Sequence, residues 1–492
     1  MTKSACTLRK CICTGLIILA LLSLLMALYL AWRFSGDSAV EYSDPVKHFQ
    51  YGSLGGERVS GFPYRIWKAL PKVCPDLLPG EGYSSLGLVY EKGHDLPIGS
   101  SQRQYQGLNR VFLNCAACHV STVRDTPSSP PRIISGMPAN TFNLLKFEQF
   151  FFQCAADKRF AREYMIPAIE QTGGKLDLID KYVVYPLATL LMREQLLMLK
   201  DRFSFNEKQP AWGPGRVDTF NSAKAVFNWP WHKTNPKELI GTADFPAIWN
   251  QAKKRGMHLH WDGNNDKVEE RNHSAAFGAG TTPPTLDRNN LKRVENYLET
   301  ATPPPWPYPL DKNLAARGKE IYQTHCADCH GASGSDFTGK YVGQVTPIQY
   351  IGTDRWRLDS YTMALAQNQS TLYAGYGDER FSHFRKTWGY ANAPLDGLWL
   401  RAPYLHNGSV PTLADLLAPV SMRPKVFYRG YDVYDQNNVG FVTTVEKEGD
   451  RKFFRFDTSL PGNSNQGHEG PRYGTTLPSA DKLALIEYLK SF

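Results

Sequence analysis

Two short stretches repeat one arrangement of cysteine and histidine, "LNCAACHV" and "THCADCHG". The residues concerned are Cys115, Cys118, His119, Cys326, Cys329 and His330. With nine cysteines and twelve histidines among 492 residues, chance gives ~0.004 such motifs per chain, so two are not accidental. Thiols at this spacing add to the vinyl groups of one porphyrin, and the adjoining imidazole then lies beneath its iron. The pattern predicts two covalently bound haem c groups, with His119 and His330 as proximal iron ligands.

Zinc is the competing interpretation of closely spaced cysteines and histidines. A structural zinc site takes four ligands, commonly from two pairs. Here each cysteine pair has its own histidine, and about 200 residues separate the two pairs. Covalent haem is therefore favoured over zinc.

The first 35 residues differ in character from the rest of the chain. Residues 15–32, "GLIILALLSLLMALYLAW", have no formal charge, and Lys3, Arg9 and Lys10 precede them. An apolar stretch of about 20 residues can cross a membrane as a helix, and basic residues before it favour a cytoplasmic N-terminus. A cleaved signal peptide is the alternative, although its apolar run is usually about 7–15 residues long and no clear A-x-A site follows here. We predict a single-pass anchor in the inner membrane, with the haem domains in the periplasm.

Export also bears on the cysteines outside the two motifs. Cys6, Cys11 and Cys13 lie before or at the start of the anchor, on its reducing side. Cys74 and Cys154 are both in the exported part, where an oxidising compartment permits a disulfide. The sequence alone leaves open whether these two cysteines meet.

A proline-rich segment marks the clearest domain boundary. Five prolines fall between residues 303 and 309, where they favour an extended, stiff linker. Helical apolar spacing precedes the segment and also leads from it into the second cysteine motif. The chain closes with "PSADKLALIEYLKSF", in which Ser479 is predicted to cap a final helix. The predicted parts are a cytoplasmic tip and transmembrane anchor at 1–35, an N-terminal c-type haem domain at 36–300 and a C-terminal cytochrome c domain at 301–492.

The fold is predicted to be mainly α-helical, with two cytochrome c-type haem domains facing each other, long loop insertions and a few short strands. Residues 141–170 and 180–202 are rich in Leu, Phe and Met, and we predict ordinary core helices there. The net charge of +9 is spread along the chain without a Lys/Arg block. No nucleic-acid-binding module is recognisable, so nucleic acid is not an expected partner.

Function depends on the second axial position of each iron, because only an open iron can bind a small molecule. After His119 no histidine occurs until His232. Met137 lies nearer in sequence but is predicted to be a packing residue, and His258 and His260 are further candidates. We therefore expect the first haem to be open or weakly ligated.

The second haem has nearer candidates for its distal ligand. They are His406 in "APYLHNGSVPTL", Met422, and His468 in "GNSNQGHEG". His383 lies in the basic run "FSHFRKTWGY" and is predicted to make surface or haem-propionate contacts.

Several of these stretches resemble one bacterial family. "LHWDGNNDKVEERN" followed by "RAPYLHNGSVPTL" resembles the dihaem cytochrome c peroxidase superfamily. "YGSLG", "IGTDRWRLDSY", "YRGYDVYD" and "PGNSNQGH" look more like the membrane-associated branch near the rubber oxygenases. The resemblance covers roughly residues 45–492.

The resemblance implies roles for residues that follow His260. Trp261 matches the tryptophan that lies between the two haems and helps electrons pass. Glu269 and Glu270 match the acidic pair after it, and Arg271 stands where the peroxidases have glutamine. Phe277 lies near the position where rubber oxygenases keep an apolar residue over the oxygen-binding haem. These five residues are the candidate catalytic residues.

The resemblance has one clear departure and two further implications. The catalytic glutamate of the peroxidases falls here on Thr281, which counts against peroxide cleavage by that group. A histidine near the C-terminus is the distal ligand of the second haem in rubber oxygenases, which assigns His468 that role, ahead of His406 and Met422. Peroxidase relatives also hold a calcium ion between their domains, but its ligands cannot be assigned in this chain.

Two classes of function follow from these expectations. The first is a periplasmic, membrane-anchored dihaem oxidoreductase, peroxidase-like or oxygenase-like, whose first haem binds hydrogen peroxide or dioxygen and whose second haem relays electrons. Its electrons would come from a redox partner protein or a quinol-linked donor. The alternative is a dihaem electron-transfer cytochrome without a substrate, which requires both irons to be closed. Redox maturation of a partner protein is a third possibility.

Overall fold

The computed structural model describes residues 3–492, with side chains from residue 12 onward apart from residue 378. About 45% of the chain is helical, which confirms the prediction of a mainly α-helical fold. The basic flank of Lys3, Arg9 and Lys10 and the cysteines Cys6 and Cys11 lie outside the described side chains.

The α-helices are distributed along the whole chain. In chain order they are α1 (Lys3–Phe34), α2 (Pro45–Tyr51), α3 (Tyr64–Val73), α4 (Ala116–His119), α5 (Leu144–Ala156), α6 (Arg162–Gly173), α7 (Tyr185–Arg202), α8 (Thr219–Val226), α9 (Val268–Gly278), α10 (Arg288–Thr300), α11 (Lys312–His325), α12 (Ala327–His330), α13 (Ile348–Ile351), α14 (Trp356–Ser360), α15 (Met363–Leu372), α16 (Leu413–Leu416) and α17 (Ser479–Leu489).

The strands are short and pair antiparallel. In chain order they are β1 (Asp37–Ala39), β2 (Phe62–Pro63), β3 (Ser100–Tyr105), β4 (Leu108–Leu113), β5 (Val120–Val123), β6 (Arg132–Ser135), β7 (Arg216–Val217), β8 (Ala243–Asp244), β9 (Val345–Pro347), β10 (Gly389–Ala391), β11 (Val426–Arg429), β12 (Tyr434–Asp435), β13 (Gly440–Phe441), β14 (Lys447–Glu448), β15 (Arg451–Lys452) and β16 (Phe454–Asp457). One sheet has four strands in the order β1-β3-β4-β2, and the other strands form pairs.

The N-terminal helix contains an apolar part, Ile12–Phe34, of 23 residues, none of which is buried. At a rise of about 1.5 Å per residue it is about 35 Å long, which is enough to cross a bilayer core of about 30 Å. Its length and composition are those of a membrane anchor or of a signal sequence.

The N-terminal haem region is built around an aromatic core between α3, α5 and α6. Trp67, Phe147, Phe150 and Phe151 are buried there and contact one another or neighbouring rings. Cys74, at the end of α3, forms a disulfide with Cys154 of α5, 80 residues further along the chain. Cys74 and Cys154 therefore do meet, which the sequence alone left open, and their disulfide links two core helices.

The C-terminal region is organised by the crossing of α11 and α17. At Gly318 an added Cβ would lie 1.9 Å from the carbonyl oxygen of Ala484, so only glycine allows the two helices to approach this closely. Tyr322 on α11 and Leu485 on α17 are buried beside the crossing. The opening and closing helices predicted for a cytochrome c domain therefore pack on each other.

Two local predictions were wrong. Ser479 does not cap α17 but is its first residue, and Pro478 precedes it. Residues 141–170 are not one helix, because the chain breaks between α5 and α6 where the Asp157 carboxylate accepts a hydrogen bond from the Arg159 backbone N–H at 2.8 Å.

Residues 180–202 were predicted to be an ordinary core helix, and this is wrong for one of their two sides. A π-helical turn at Asp180–Val184 leads into α7. The inner side, with Val184, Tyr185, Met192 and Leu196, is buried. The outer side carries large apolar residues that are more than half exposed, which a helix enclosed in a core would not show.

Candidate haem sites

The first cysteine motif lies on α4, directly after β4. The Asn114 side chain fixes the backbone just before the motif. Its amide donates to the carbonyl of Gly52 at 3.0 Å, and its oxygen accepts from the Ala116 N–H at 3.0 Å. The Nδ1 of His119 donates to the carbonyl oxygen of Pro246 at 2.9 Å. This bond fixes the ring and leaves Nε2 as the nitrogen that can bind iron.

The environment of His119 favours the neutral form of its imidazole, which is the form that binds iron. Burial, together with the positive charge of Arg271, lowers the pKa of His119 to about 4. The ring is therefore neutral at pH 7, as an iron ligand must be. Burial also raises the thiol pKa of Cys115 to about 11. Cys115, Cys118 and His119 are half-buried, so protein encloses the motif only in part.

The second motif, on α12, repeats this arrangement. The Nδ1 of His330 donates to the carbonyl oxygen of Ala393 at 2.9 Å. Burial lowers the pKa of His330, so this imidazole is also neutral. Burial also raises the thiol pKa of Cys326 to about 12. The two motifs therefore have the same proximal geometry, each with a backbone carbonyl as the partner of its histidine.

His468 lies opposite His330. The centroids of the two imidazole rings are 6.3 Å apart. Two imidazoles on opposite sides of one iron would have centroids about 6.4 Å apart, because each metal–nitrogen bond is about 2.0 Å and each nitrogen lies about 1.2 Å from its ring centre. The spacing of this pair fits a single iron between the two rings.

Neighbouring residues hold His468 in place. Its backbone is left-handed, with φ of 49°, which is uncommon for a residue other than glycine. The Arg423 guanidinium donates to the carbonyl oxygens of Gly467 at 2.9 Å and of His468 at 3.2 Å. The Tyr473 ring lies 4.6 Å from the imidazole. The Nδ1 of His468 is buried without a hydrogen-bond partner, unlike that of His330.

The other candidates for the second iron are placed differently. The Nε2 of His406 is hydrogen-bonded to the hydroxyl of Tyr390 at 2.9 Å, and the two rings stack at 4.0 Å. Met422 is 74% exposed. His383 pairs with Asp266 at 2.7 Å, at the surface. None of these three side chains is placed against His330 as His468 is.

The first motif has no equivalent of His468 among the described residues. The aromatic ring beside the His119 imidazole is that of Phe245, and the centroids of the two rings are 6.5 Å apart. Met137 is fully buried in the core of the C-terminal region, as a packing residue would be. The Nδ1 of His258 donates to the Gly263 carbonyl at 2.9 Å, and the Nδ1 of His260 is bonded to the Asn264 side chain at 2.6 Å.

Trp261 is linked by hydrogen bonds to the partners of both proximal histidines. Its indole N–H donates to the carbonyl of Asp244 at 2.7 Å, two residues before the carbonyl that receives the His119 hydrogen bond. Its own carbonyl accepts from the Ala391 N–H at 2.8 Å, two residues before the carbonyl that receives the His330 hydrogen bond. Two short backbone segments thus connect the two motifs through one tryptophan.

A buried ion cluster fixes one end of this connection. The Asp244 carboxylate pairs bidentately with Arg429 of β11, at 3.0 and 2.8 Å. Arg216 lies 3.5 Å from the same carboxylate and donates to Asn463 at 2.9 Å. Because all four residues are buried, their positions are tightly constrained.

The acidic pair after Trp261 is divided between surface and interior. Glu269 forms a surface ion pair with Arg255. Glu270 is buried and accepts from the backbone N–H groups of Ser382 and His383, both at 2.9 Å, and from the Asn265 amide at 3.0 Å. These contacts show Glu270 anchoring the 382–383 loop, and the catalytic roles of both residues remain predictions.

Arg271, Phe277 and Thr281 lie on or after α9, on the side of the first motif. The charge of Arg271 affects both Cys115 and His119, and its Nε is buried without a hydrogen-bond partner. Phe277 packs in the same apolar cluster as Cys115. The Thr281 hydroxyl is buried without a partner, so a neutral side chain occupies the position of the peroxidase glutamate.

Sequence reasoning missed Glu148 on α5. Burial raises the pKa of this carboxyl to about 8, its Oε2 has no hydrogen-bond partner, and its charge reaches Cys118. The available signal was one acidic residue within the apolar run "LLKFEQFFF". The carbonyls of Pro246 and Ala393 were also missed, because any residue type can supply a backbone oxygen.

Calcium ligands cannot be assigned from the structure either. The described residues contain no group of three or more His, Cys, Asp or Glu side chains that could hold a metal ion. Calcium between the domains therefore stays a prediction without a ligand set.

Comparison with known families identifies the class of protein. A model of the cytochrome c family matches residues 315–383, which include the second motif. A model described as RoxA-like, cytochrome c-like matches residues 389–428, which include Ala393 and His406. The chain carries covalently bound haem c, and it is a haem-based oxidoreductase or electron carrier with similarity to the RoxA-like group.

Two bacterial proteins are similar over longer stretches. The uncharacterized protein y4iJ of Sinorhizobium fredii (strain NBRC 101917 / NGR234) is 28% identical over 477 residues, covering 78% of this chain and 77% of the relative. The uncharacterized protein y4iM of the same strain is 30% identical over 292 residues, covering 50% of this chain and 64% of the relative. The similarity to y4iJ thus extends well beyond the cytochrome c segment.

Proposed function

We propose that this chain is a periplasmic dihaem c-type oxidoreductase of the peroxidase superfamily, anchored in the inner membrane by α1. Cys115 and Cys118 would hold the first haem, and Cys326 and Cys329 the second. The first site would bind hydrogen peroxide or dioxygen. A redox partner protein or a quinol-linked donor would supply electrons through the second site.

One asymmetry between the two sites carries this proposal. His330 has a second imidazole at the spacing of a shared iron, whereas no described imidazole makes a ring contact with His119, whose neighbouring ring is that of Phe245. An iron with two imidazoles transfers electrons but is closed to small molecules, whereas an iron with one is open to them. The two sites are therefore suited to different tasks.

Haem c supplies reversible redox chemistry at its iron and, where an axial position is open, a binding site for peroxide or dioxygen. The residues around the first site orient and shield such a molecule. The Nε of Arg271 is buried without a hydrogen-bond partner, so its N–H can donate to an oxygen atom of the bound molecule. Phe277 and its cluster keep water away from the same side.

Trp261 and its two hydrogen-bonded segments would carry electrons from the second site to the first. The support is that bonds of 2.7–2.9 Å connect both proximal histidines through this residue. The Asp244–Arg429 pair would keep this route rigid.

A dihaem electron carrier without a substrate is the second candidate, and Thr281 is the observation that favours it. The side chain at this position cannot take a proton from peroxide as a glutamate would. In that case the first iron must also be closed, with His258, His260 or Met137 as ligand.

Intact-mass analysis of the purified holoprotein tests the haem count. We expect the mass of two covalent haems, and of one in Cys115→Ala/Cys118→Ala or Cys326→Ala/Cys329→Ala. Steady-state assays of peroxide reduction and dioxygen uptake with a reduced c-type cytochrome as donor then test the activity. Turnover of either oxidant that is lost in the Cys115→Ala/Cys118→Ala protein would support the enzyme. Two intact haems without turnover would favour the carrier.

A further inference from the structure

The outer side of α7 and of the turn before it forms an exposed apolar surface. Six residues, each more than half exposed, make up this surface, which we call the α7 face: Leu178, Tyr182, Val183, Leu187, Leu190 and Leu191. Leu178 is the most exposed of them, at 75%. Large apolar side chains grouped in this way are rare on the surface of a protein that meets only water.

The α7 face is not needed for packing within the chain. The opposite side of the same helix contacts α5 and α6 and buries Tyr185, Met192 and Leu196. The first half of α7 is therefore apolar all round, which is typical of a helix with protein on one side and lipid on the other. The apolar surface stops at Glu194 and Gln195, which are exposed and polar.

The α7 face begins beside the C-terminal end of α1. Arg33, in the last turn of α1, pairs with Asp180 and lies 3.7 Å from Asp177. Trp32 beside it is 75% exposed. Tryptophan and tyrosine concentrate where a membrane meets water, and arginine at a helix end reaches the same level. These contacts place the α7 face at the depth where a bilayer crossed by α1 would end.

We propose that the α7 face inserts into the interface of the bilayer and holds the haem domains against the membrane surface. This inference rests on the proposed anchoring by α1. The occupant is lipid because the surface continues directly from α1 and includes Tyr182 near the end that lies beside α1. From Asp180 to Leu191 the helical segment extends about 16 Å, so several turns would lie along the membrane.

Photo-crosslinking in the full-length holoprotein tests this inference. Benzoylphenylalanine replaces Leu190 in protein reconstituted into vesicles of phosphatidylethanolamine and phosphatidylglycerol. After illumination, mass spectrometry identifies what is attached. Leu25 within α1 is the matched position for the anchor, and Leu483 on α17, which is 60% exposed, is the matched position for an ordinary surface leucine.

We expect lipid adducts from positions 190 and 25 and none from position 483. Lipid adducts at 25 without adducts at 190 would overturn the proposal and leave the anchor intact. A crosslink from 190 to a second copy of the chain would overturn it in favour of a dimer interface. Absence of lipid at both 190 and 25 would overturn the anchor together with this inference, while the haem count from intact mass would be unaffected.

Discussion

The imidazole rings of His330 and His468 lie with their centroids 6.3 Å apart and their planes tilted by 45°, although the two residues are 138 positions apart in sequence. Each ring is held by its surroundings, His330 by the Ala393 carbonyl and His468 through the carbonyls that Arg423 binds. Under the proposed function, this pair would close the second iron. Among the described residues the first motif has no such partner, so the two sites differ.

Replacing His468 should change the second haem alone. Methionine raises the reduction potential of a haem relative to histidine, so His468→Met should raise the lower potential by on the order of 100 mV, within the ~0.8 V that axial ligands span. Spectroelectrochemistry measures both potentials. Met422→Ala is the control, because that side chain is 74% exposed and should leave both potentials unchanged. Unchanged potentials in His468→Met would exclude His468 as the ligand.

Replacing Trp261 should slow electron transfer between the sites. Phenylalanine keeps an aromatic ring but removes the N–H that donates to Asp244. We expect the inter-haem rate in Trp261→Phe to fall by about tenfold or more, which corresponds to ~1.4 kcal/mol of barrier. Flash-photolysis or stopped-flow absorption measures this rate. Trp388→Phe, at an exposed position, is the control, and equal rates in the two variants would remove Trp261 from the route.

Glu270 should contribute more than Glu269 to the free energy of unfolding. Glu270→Gln places an amide N–H group against backbone donors, so it should lower the free energy of unfolding by about 1–3 kcal/mol. Glu269→Gln removes only a surface ion pair and should cost less than about 1 kcal/mol. Thermal unfolding followed by circular dichroism compares the two proteins. A larger loss in Glu269→Gln than in Glu270→Gln would contradict the structure.

Glu148 should make stability depend on pH. Its pKa is raised from 4.5 to about 8, so between these values the folded carboxyl keeps a proton that the unfolded chain releases. The folded state then binds more protons, and the free energy of unfolding falls as pH rises through this window, by on the order of a few kcal/mol. Glu148→Gln should flatten this slope when the melting temperature is measured between pH 5 and 8. Glu163→Gln on the exposed side of α6 should not, and equal slopes in both variants would disprove the assignment.

Some features of this molecule could be predicted because they depend on local spacing. The two cysteine motifs, the apolar N-terminal helix and the helices that bracket the C-terminal domain all show in short stretches of sequence. Ser479 was misassigned within its helix because a serine suits either of two adjacent positions there, and the backbone decides between them.

Other features could not be predicted because they depend on contacts distant in sequence or on backbone atoms. Pro246 and Ala393 act through carbonyl oxygens that every residue type possesses. The meeting of Cys74 and Cys154 required the packing of α3 on α5. The apolar residues of α7 looked like core residues, since periodicity does not distinguish a face covered by protein from one left exposed.

Electron paramagnetic resonance of the purified ferric protein tests the difference between the two sites most directly. Spectra are recorded with and without cyanide, in the fully oxidised and the half-reduced states. We expect one low-spin signal that cyanide leaves unchanged, from the site of His330 and His468, and one high-spin signal that cyanide converts to low spin, from the site of His119. Two low-spin signals that cyanide leaves unchanged in both states would contradict an open first site and establish an electron carrier.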